Sequence, residues 1–280
     1  MPLPETTSTP SARNLWLRIA SAAILAPLAI GTAYLGEWYF TIFWLAAAIA
    51  IWWEWVGLVD PGGRHVVLAT GVCALILQAV LLEAGHLSIA IMVVALGVLA
   101  AVVTSGRQSP FVAGGIVYSS AILLAAVTIR ADAVYGFAAI LMLFAVVWGS
   151  DIGGYFSGRT FGGPKLAPSI SPKKTWSGAI GGTLVAIAAA IGVVSLFVAT
   201  TNLVMIGVLA LVLSVASQAG DIFESWLKRR FDAKDSSGLI PGHGGVMDRL
   251  DGFIFAVTVA ALWGVARGGL DAPGSALLVW

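Results

Sequence analysis

Charge is scarce in this chain: only 10% of its 280 residues are Asp, Glu, Lys or Arg, whereas 59% are hydrophobic. Soluble globular domains carry roughly 25% charged and 45–50% apolar residues, so this composition belongs in a bilayer. Cysteine is scarcer still. Cys73 is the single cysteine, which excludes a disulfide within the chain and any Cys-based metal centre; lying in an apolar segment, it is expected to be a small core residue. The chain also lacks the basic excess that a nucleic-acid binder needs to displace counterions from phosphates, since its formal charge is +1. No small-residue cleavage pattern ends the first apolar stretch, so Arg13 and Arg18 introduce a retained helix rather than a removable signal.

What is present is a short polar tail and a long series of apolar segments. Residues 1–13 are rich in Pro, Ser and Thr and bury too little apolar surface to order themselves. Residues 14–280 read as a single transmembrane catalytic domain. Segments of roughly 20 apolar residues match the hydrocarbon thickness, and about nine can be laid out between Gly, Pro and charge punctuation. They cover 15–36, 38–58, 66–83, 87–104, 111–130, 134–156, 177–199, 203–228 and 250–267. The fold expected is an all-α polytopic membrane protein; an eight-span variant would make the last segment re-entrant.

With nine spans, only Arg130 and Arg267 of the 15 basic residues fall on one side. The positive-inside rule then puts the N-terminus and the loops after spans two, four, six and eight in the cytoplasm, and the C-terminus outside.

A carboxylate at membrane depth costs several kcal/mol, which makes it a functional candidate. Asp151, Asp221, Glu224, Asp248 and Asp251 all fall near the cytoplasmic ends of spans six, eight and nine. Glu54, between Trp53 and Trp55, is either a sixth member or an interfacial side chain. Ser217, Asp221, Glu224 and Lys228 recur at helical spacing and form one polar stripe. Asp248 and Asp251 share a face in the same way. Hard divalent cations such as Mg²⁺ take oxygen ligands and commonly use one or two carboxylates together with substrate phosphates. The competing arrangement is a set of interhelical ion pairs with Lys228 and Arg249.

Two segments suit phosphate. Lys228, Arg229, Arg230 and Lys234 lead into Pro241-Gly242-His243-Gly244-Gly245, a turn whose backbone N–H groups can approach oxygens just before a helix. Ser171-Pro172-Lys173-Lys174-Thr175-Trp176 likewise ends where span seven begins. A flexible connector and topological charge bias explain the same residues equally well. The segment from Gly158 to Lys165 is not a P-loop, because Pro164 separates the glycine from Lys165 and Leu166 stands where Ser or Thr is required. Small-residue patches such as Ser177 to Gly182 are expected to let helices approach closely.

From Ser225 to Asp251 the chain resembles the phosphatidate cytidylyltransferase (CDP-diacylglycerol synthase) family. The likeness rests on Ser225, Leu227-Lys228-Arg229, Lys234-Asp235, Ser237, Ile240-Pro241, His243-Gly244-Gly245-Val246 and Asp248-Arg249-Leu250-Asp251. A second matching region comprises Asp151, Tyr155, Gly158 and Ser171 to Trp176. Ser177 departs from the family, which often carries Glu there. Asp248-Arg249-Leu250-Asp251-Gly252 also overlaps the opening of the CDP-alcohol phosphotransferase motif, but Phe255-Ala256 stand where that motif needs Ala-Arg.

The resemblance implies transfer of CMP from CTP to phosphatidic acid in phospholipid biosynthesis, with Mg²⁺, K⁺ as a candidate second ion, and a homodimer in the bacterial inner membrane. It places the site mainly in 148–178 and 214–252, facing the cytoplasm. Asp221, Asp248 and Asp251 are expected on metal, with Glu224 behind them or on a second ion. Lys173, Lys174, Lys228, Arg229, Lys234, His243 and Arg249 are expected on phosphates, with Asp151, Tyr155, Ser171, Thr175, Gly244 and Gly245 also binding substrate. The rivals are a CTP-dependent polyprenol kinase, which would have to activate an alcohol, and an ion-coupled transporter. The transporter should show matching interrupted helices in its two halves, and the first five spans carry almost no charge.

Overall fold

A segment that crosses hydrocarbon must satisfy its own backbone hydrogen bonds, and a helix does so without partners. The computed structural model describes residues 12–60, 64–104, 109–240 and 244–280, and helix dominates them. The long helices are α1 (Ala12–Leu35), α2 (Glu37–Val59), α3 (Arg64–Glu83), α4 (Leu87–Thr104), α5 (Ser109–Arg130), α6 (Gly136–Phe161), α7 (Trp176–Phe197), α8 (Leu203–Arg230) and α9 (Met247–Gly268). A short α10 (Pro273–Leu278) and a hairpin of β1 (Lys165–Ala167) and β2 (Ser171–Thr175) complete them. Among the described residues, α2, α3 and α5 to α9 are long and apolar enough to cross a bilayer, while α1 and α4 are apolar over Ser21–Leu35 and Leu87–Val103. The chain is an integral membrane protein.

Local chemistry sets several boundaries. Thr175 caps α7, its hydroxyl accepting from the Gly178 N–H at 3.1 Å, and Asn202 caps α8 through the N–H groups of Val204 and Met205. Helix α7 lies along α6, and α8 packs between α7 and α9. The α6–α7 approach depends on missing side chains: a Cβ on Gly182 would stand 2.5 Å from the Ser150 carbonyl oxygen. This is the close packing expected of the small-residue patch.

Two aromatic clusters lock α2 into this core. Trp44 stacks on Phe253 of α9, with ring centroids 4.9 Å apart and planes 7° from parallel. Nearer the charged end, Phe223 of α8 meets Trp55, Tyr118 and Phe255. Offset and edge-on ring pairs of this kind add about 0.5–1.5 kcal/mol each beyond their buried area.

At the opposite end Asp132, between α5 and α6, is buried. It accepts from the N–H groups of Val134 and Tyr135, and from the N–H (2.6 Å) and hydroxyl (3.0 Å) of Ser275, which fixes α10. Burial pushes this carboxyl up, but those four hydrogen bonds outweigh it and hold it below the usual carboxylate range.

Several expectations change. Span six extends through Arg159 to Phe161, and the supposed loop after it contains the β1–β2 hairpin, with Lys165 opposite Thr175 and Ala167 opposite Ser171. The strands are three and five residues long and β2 is Ser-Pro-Lys-Lys-Thr, so no alternation of apolar residues marks them. The last span starts earlier than expected, at Met247. Cys73 is exposed on α3 rather than buried in the core. Most of the expected polar tail (1–11), Arg107 and His243 lie outside the described residues.

Candidate active site

The polar stripe of α8 faces inward. Ser217, Glu224 and Lys228 are buried. The Lys228 ammonium lies 2.7 Å from Glu224 Oε2 and 2.5 Å from Asp248 Oδ1. Their side chains are 11%, 2% and 6% exposed respectively, too little for water to screen the charges. One cation on α8 thus holds a carboxylate of its own helix and, through Asp248, ties α8 to α9. Asp248 Oδ2 accepts from the N–H groups of Ser236 (3.0 Å) and Gly245 (2.8 Å) and from the Ser236 hydroxyl (2.9 Å), which draws the α8–α9 loop down onto α9.

Beside this pair opens a cavity of about 380 Å³. Asp151, Asp221, Glu224, Lys228, Asp248, Arg249 and Asp251 line it, together with Ser225, Asp235 and Gly252. A second cavity of about 400 Å³ lies between α6, α7, α8 and the hairpin. Its lining includes Tyr155, Arg159, Lys173, Lys174, Thr175 and Gln218. Asp151 and Asp221 line both cavities, so the two meet there. The Lys174 ammonium is paired with Asp221 at this junction. Arg159 donates to the Tyr155 hydroxyl at 2.8 Å.

The structure therefore gathers most of the predicted residues from three helix ends and one hairpin. Thr175 also serves as the α7 cap. Ser171, Arg229, Lys234, Gly244 and Gly245 line neither cavity. Arg229 instead donates to the Ala233 carbonyl at 2.9 Å, Lys234 is exposed, and Gly244 takes φ +90° in the turn, a conformation suited to glycine. Ser177, at the family's Glu position, donates to the Gly162 carbonyl and so ties the end of α6 to the start of α7.

Arg159, Gln218, Ser225 and Asp235 join the lining without having been singled out as site residues. Helical spacing offered the signal for two of them: Arg159 is four residues beyond Tyr155, and Gln218 is three before Asp221.

The donor set suits a hard cation. Asp151, Asp221 and Asp251 supply carboxylate oxygens to one cavity, and Glu224 Oε1 is buried with no hydrogen-bond partner. An orphaned buried carboxylate oxygen is costly unless something binds it. Among the described residues, no three carboxylate or imidazole groups already converge at ligand spacing. Asp248 has only Oδ1, shared with Lys228, left to offer.

Comparison with known proteins bears on what such a site does. Residues 16–265 match the model of the Cytidylyltransferase family. A protein of Brucella suis called phosphatidate cytidylyltransferase is 42% identical over 268 residues, which cover 94% of this chain and 97% of that one. A Pseudomonas aeruginosa protein of the same name is 34% identical over 265 residues, covering 90% and 98%. With residues 16–265 of its 280 inside the match, the chain belongs to the cytidylyltransferase family.

Proposed function

We propose that this protein transfers CMP from CTP to phosphatidic acid, giving CDP-diacylglycerol and pyrophosphate, at the cytoplasmic face of a bacterial inner membrane. The observation that carries the reading is the pair of cavities meeting at Asp151 and Asp221. One is lined by carboxylates and cations suited to a metal-bound polyphosphate. The other is bounded by Lys173, Lys174 and Arg159 beside the exposed rings of Tyr155, Phe156 and Trp176, which suits an anionic headgroup whose tails remain in lipid.

A phosphate monoester has a second pKa near 6, so phosphatidic acid reaches the site already ionised and its oxygen attacks the α-phosphorus of CTP without a strong base. Repulsion between the two anions is the obstacle. Lys173, Lys174 and Arg159 screen the lipid phosphate; Arg249, on the rim of the first cavity, is placed for the departing pyrophosphate. Asp151, Asp221, Asp251 and the free oxygen of Glu224 would hold Mg²⁺, which supplies charge neutralisation at the phosphate oxygens. Lys228, bridging Glu224 Oε2 and Asp248 Oδ1, holds both side chains in place at the cavity wall. A K⁺ ion and a homodimer belong to the same reading and rest on family likeness alone.

The test is pyrophosphate release by purified protein in mixed micelles with CTP and Mg²⁺. Release should require phosphatidic acid and should stop in Asp221→Asn and Asp251→Asn proteins that remain folded. Release that is indifferent to phosphatidic acid would contradict the assignment.

A further inference from the structure

Glu54 lies on α2, outside both cavities, yet it is 1% exposed and its carboxylate is saturated by the far end of the chain. Oε1 accepts from the Val246 N–H at 2.8 Å and the Ser237 hydroxyl at 2.6 Å; Oε2 accepts from the Met247 N–H at 2.7 Å and the Ser236 hydroxyl at 3.1 Å. Val246 and Met247 open α9, so Glu54 supplies the acceptor that α9 lacks in its own cap: Val246, the N-cap residue, makes no side-chain cap bond. A carboxylate there also favours the positive end of the helix dipole.

The contact is close enough to dictate sequence. A Cβ on Gly245 would stand 2.6 and 2.7 Å from the two Glu54 oxygens. The Ser236 hydroxyl lies within hydrogen-bond distance of both Glu54 Oε2 and Asp248 Oδ2. A continuous set of contacts therefore runs from Glu54 through Ser236, Asp248 and Lys228 to Glu224, whose unpartnered oxygen belongs to the site.

We propose that Glu54 is a positioning residue for the transfer reaction: it clamps the α8–α9 loop and the first turn of α9 so that Asp248 and Asp251 are presented to the cavity. The reaction named here rests on the function proposed above; the clamp itself does not. Losing a group that orients site carboxylates costs about 10- to 100-fold in activity or ion affinity.

Glu54→Gln keeps shape but turns an NH₂ toward the backbone N–H of Val246 or Met247, which can only donate. It is expected to insert, to lower kcat about 10- to 100-fold with little change in the KM for CTP, and to speed hydrogen exchange at the Val246 and Met247 amides in lipid nanodiscs. Glu54→Asp should restore part of the protection and part of the rate.

If Glu54→Gln does not fold, the double variant Ser236→Ala/Ser237→Ala decides by the same two readings. Wild-type exchange rates in that variant, or in a folded Glu54→Gln protein, would overturn the clamp. So would a loss of rate with unchanged exchange. A wild-type protein that makes no CDP-diacylglycerol would instead defeat the functional reading, and the exchange contrast would still test the clamp.

Discussion

Replacing Lys228 by Met keeps the length of the side chain and removes the charge that joins Glu224 to Asp248. Two unit charges about 4 Å apart attract by about 4 kcal/mol at the effective dielectric of 20 suited to such sites, and Lys228 has two such partners, at 2.7 and 2.5 Å. Desolvation offsets much of that attraction in the intact protein. The loss on removing one partner is nevertheless large, about 3–5 kcal/mol, because the remaining charges stay buried without compensation. Here two carboxylates would face each other across the α8–α9 contact.

Lys228→Met should therefore lower the unfolding free energy in detergent by about that amount and abolish transfer. Adding Glu224→Gln removes one of the two opposed charges and should recover about 0.5–3 kcal/mol, a coupling typical of groups in contact. Activity should not return, since Glu224 is itself part of the site. The assay is denaturant unfolding of the single variants and the double variant in one micelle system. A Lys228→Met protein within about 0.5 kcal/mol of wild type, the range of an ordinary surface change, would refute the buried-bridge account.

Lys173→Arg/Lys174→Arg preserves positive charge for topology but replaces compact ammonium groups with planar forks; the double variant should insert normally and lose about 1–3 kcal/mol of transition-state stabilisation. Unchanged kcat/KM for both CTP and phosphatidic acid would leave those lysines with topology alone. Asp132 has a depressed folded pKa, so its stabilisation of α10 is full above the unfolded value of about 3.9 and disappears only as pH falls through the folded one. Hydrogen exchange in Pro273–Leu278 should accordingly be flat from neutral pH down to about pH 5 after correction for intrinsic rates, and Asp132→Asn should raise it even at neutral pH. In a Cys73→Ala background, cysteines placed at Lys173 and Lys234 should resist an impermeant thiol reagent outside intact cells, and one at Ala84 should react; the reverse pattern would invert the topology.

The helices were legible because hydrocarbon demands long apolar runs whatever their neighbours. The α8 stripe was legible because Ser217, Asp221, Glu224 and Lys228 share one face at a fixed repeat. That same pattern supported two readings, metal site and interhelical ion pairs, and the structure contains elements of both: Lys228 spans Glu224 and Asp248, while Glu224 Oε1 stays unpartnered beside Asp221 and Asp251. The β1–β2 hairpin was hidden because β1 is three residues long and β2 has no alternating apolar residues. Glu54 was hidden for another reason. Its partners are 182 to 193 residues away, and a carboxylate flanked by Trp53 and Trp55 near a helix end looks like any interfacial side chain.

Which phosphorus of CTP is transferred is decided by the position of the label in the lipid product. Purified protein would be incubated with Mg²⁺, phosphatidic acid and CTP labelled at either the α- or the γ-phosphorus, and the lipid fraction extracted. Cytidylyl transfer puts the α-label into a lipid that also carries cytidine and leaves the γ-label in pyrophosphate. Label entering lipid only from the γ-position would make the protein a kinase, and no labelled lipid from either CTP would rule out both cytidylyl and phosphoryl transfer to phosphatidic acid.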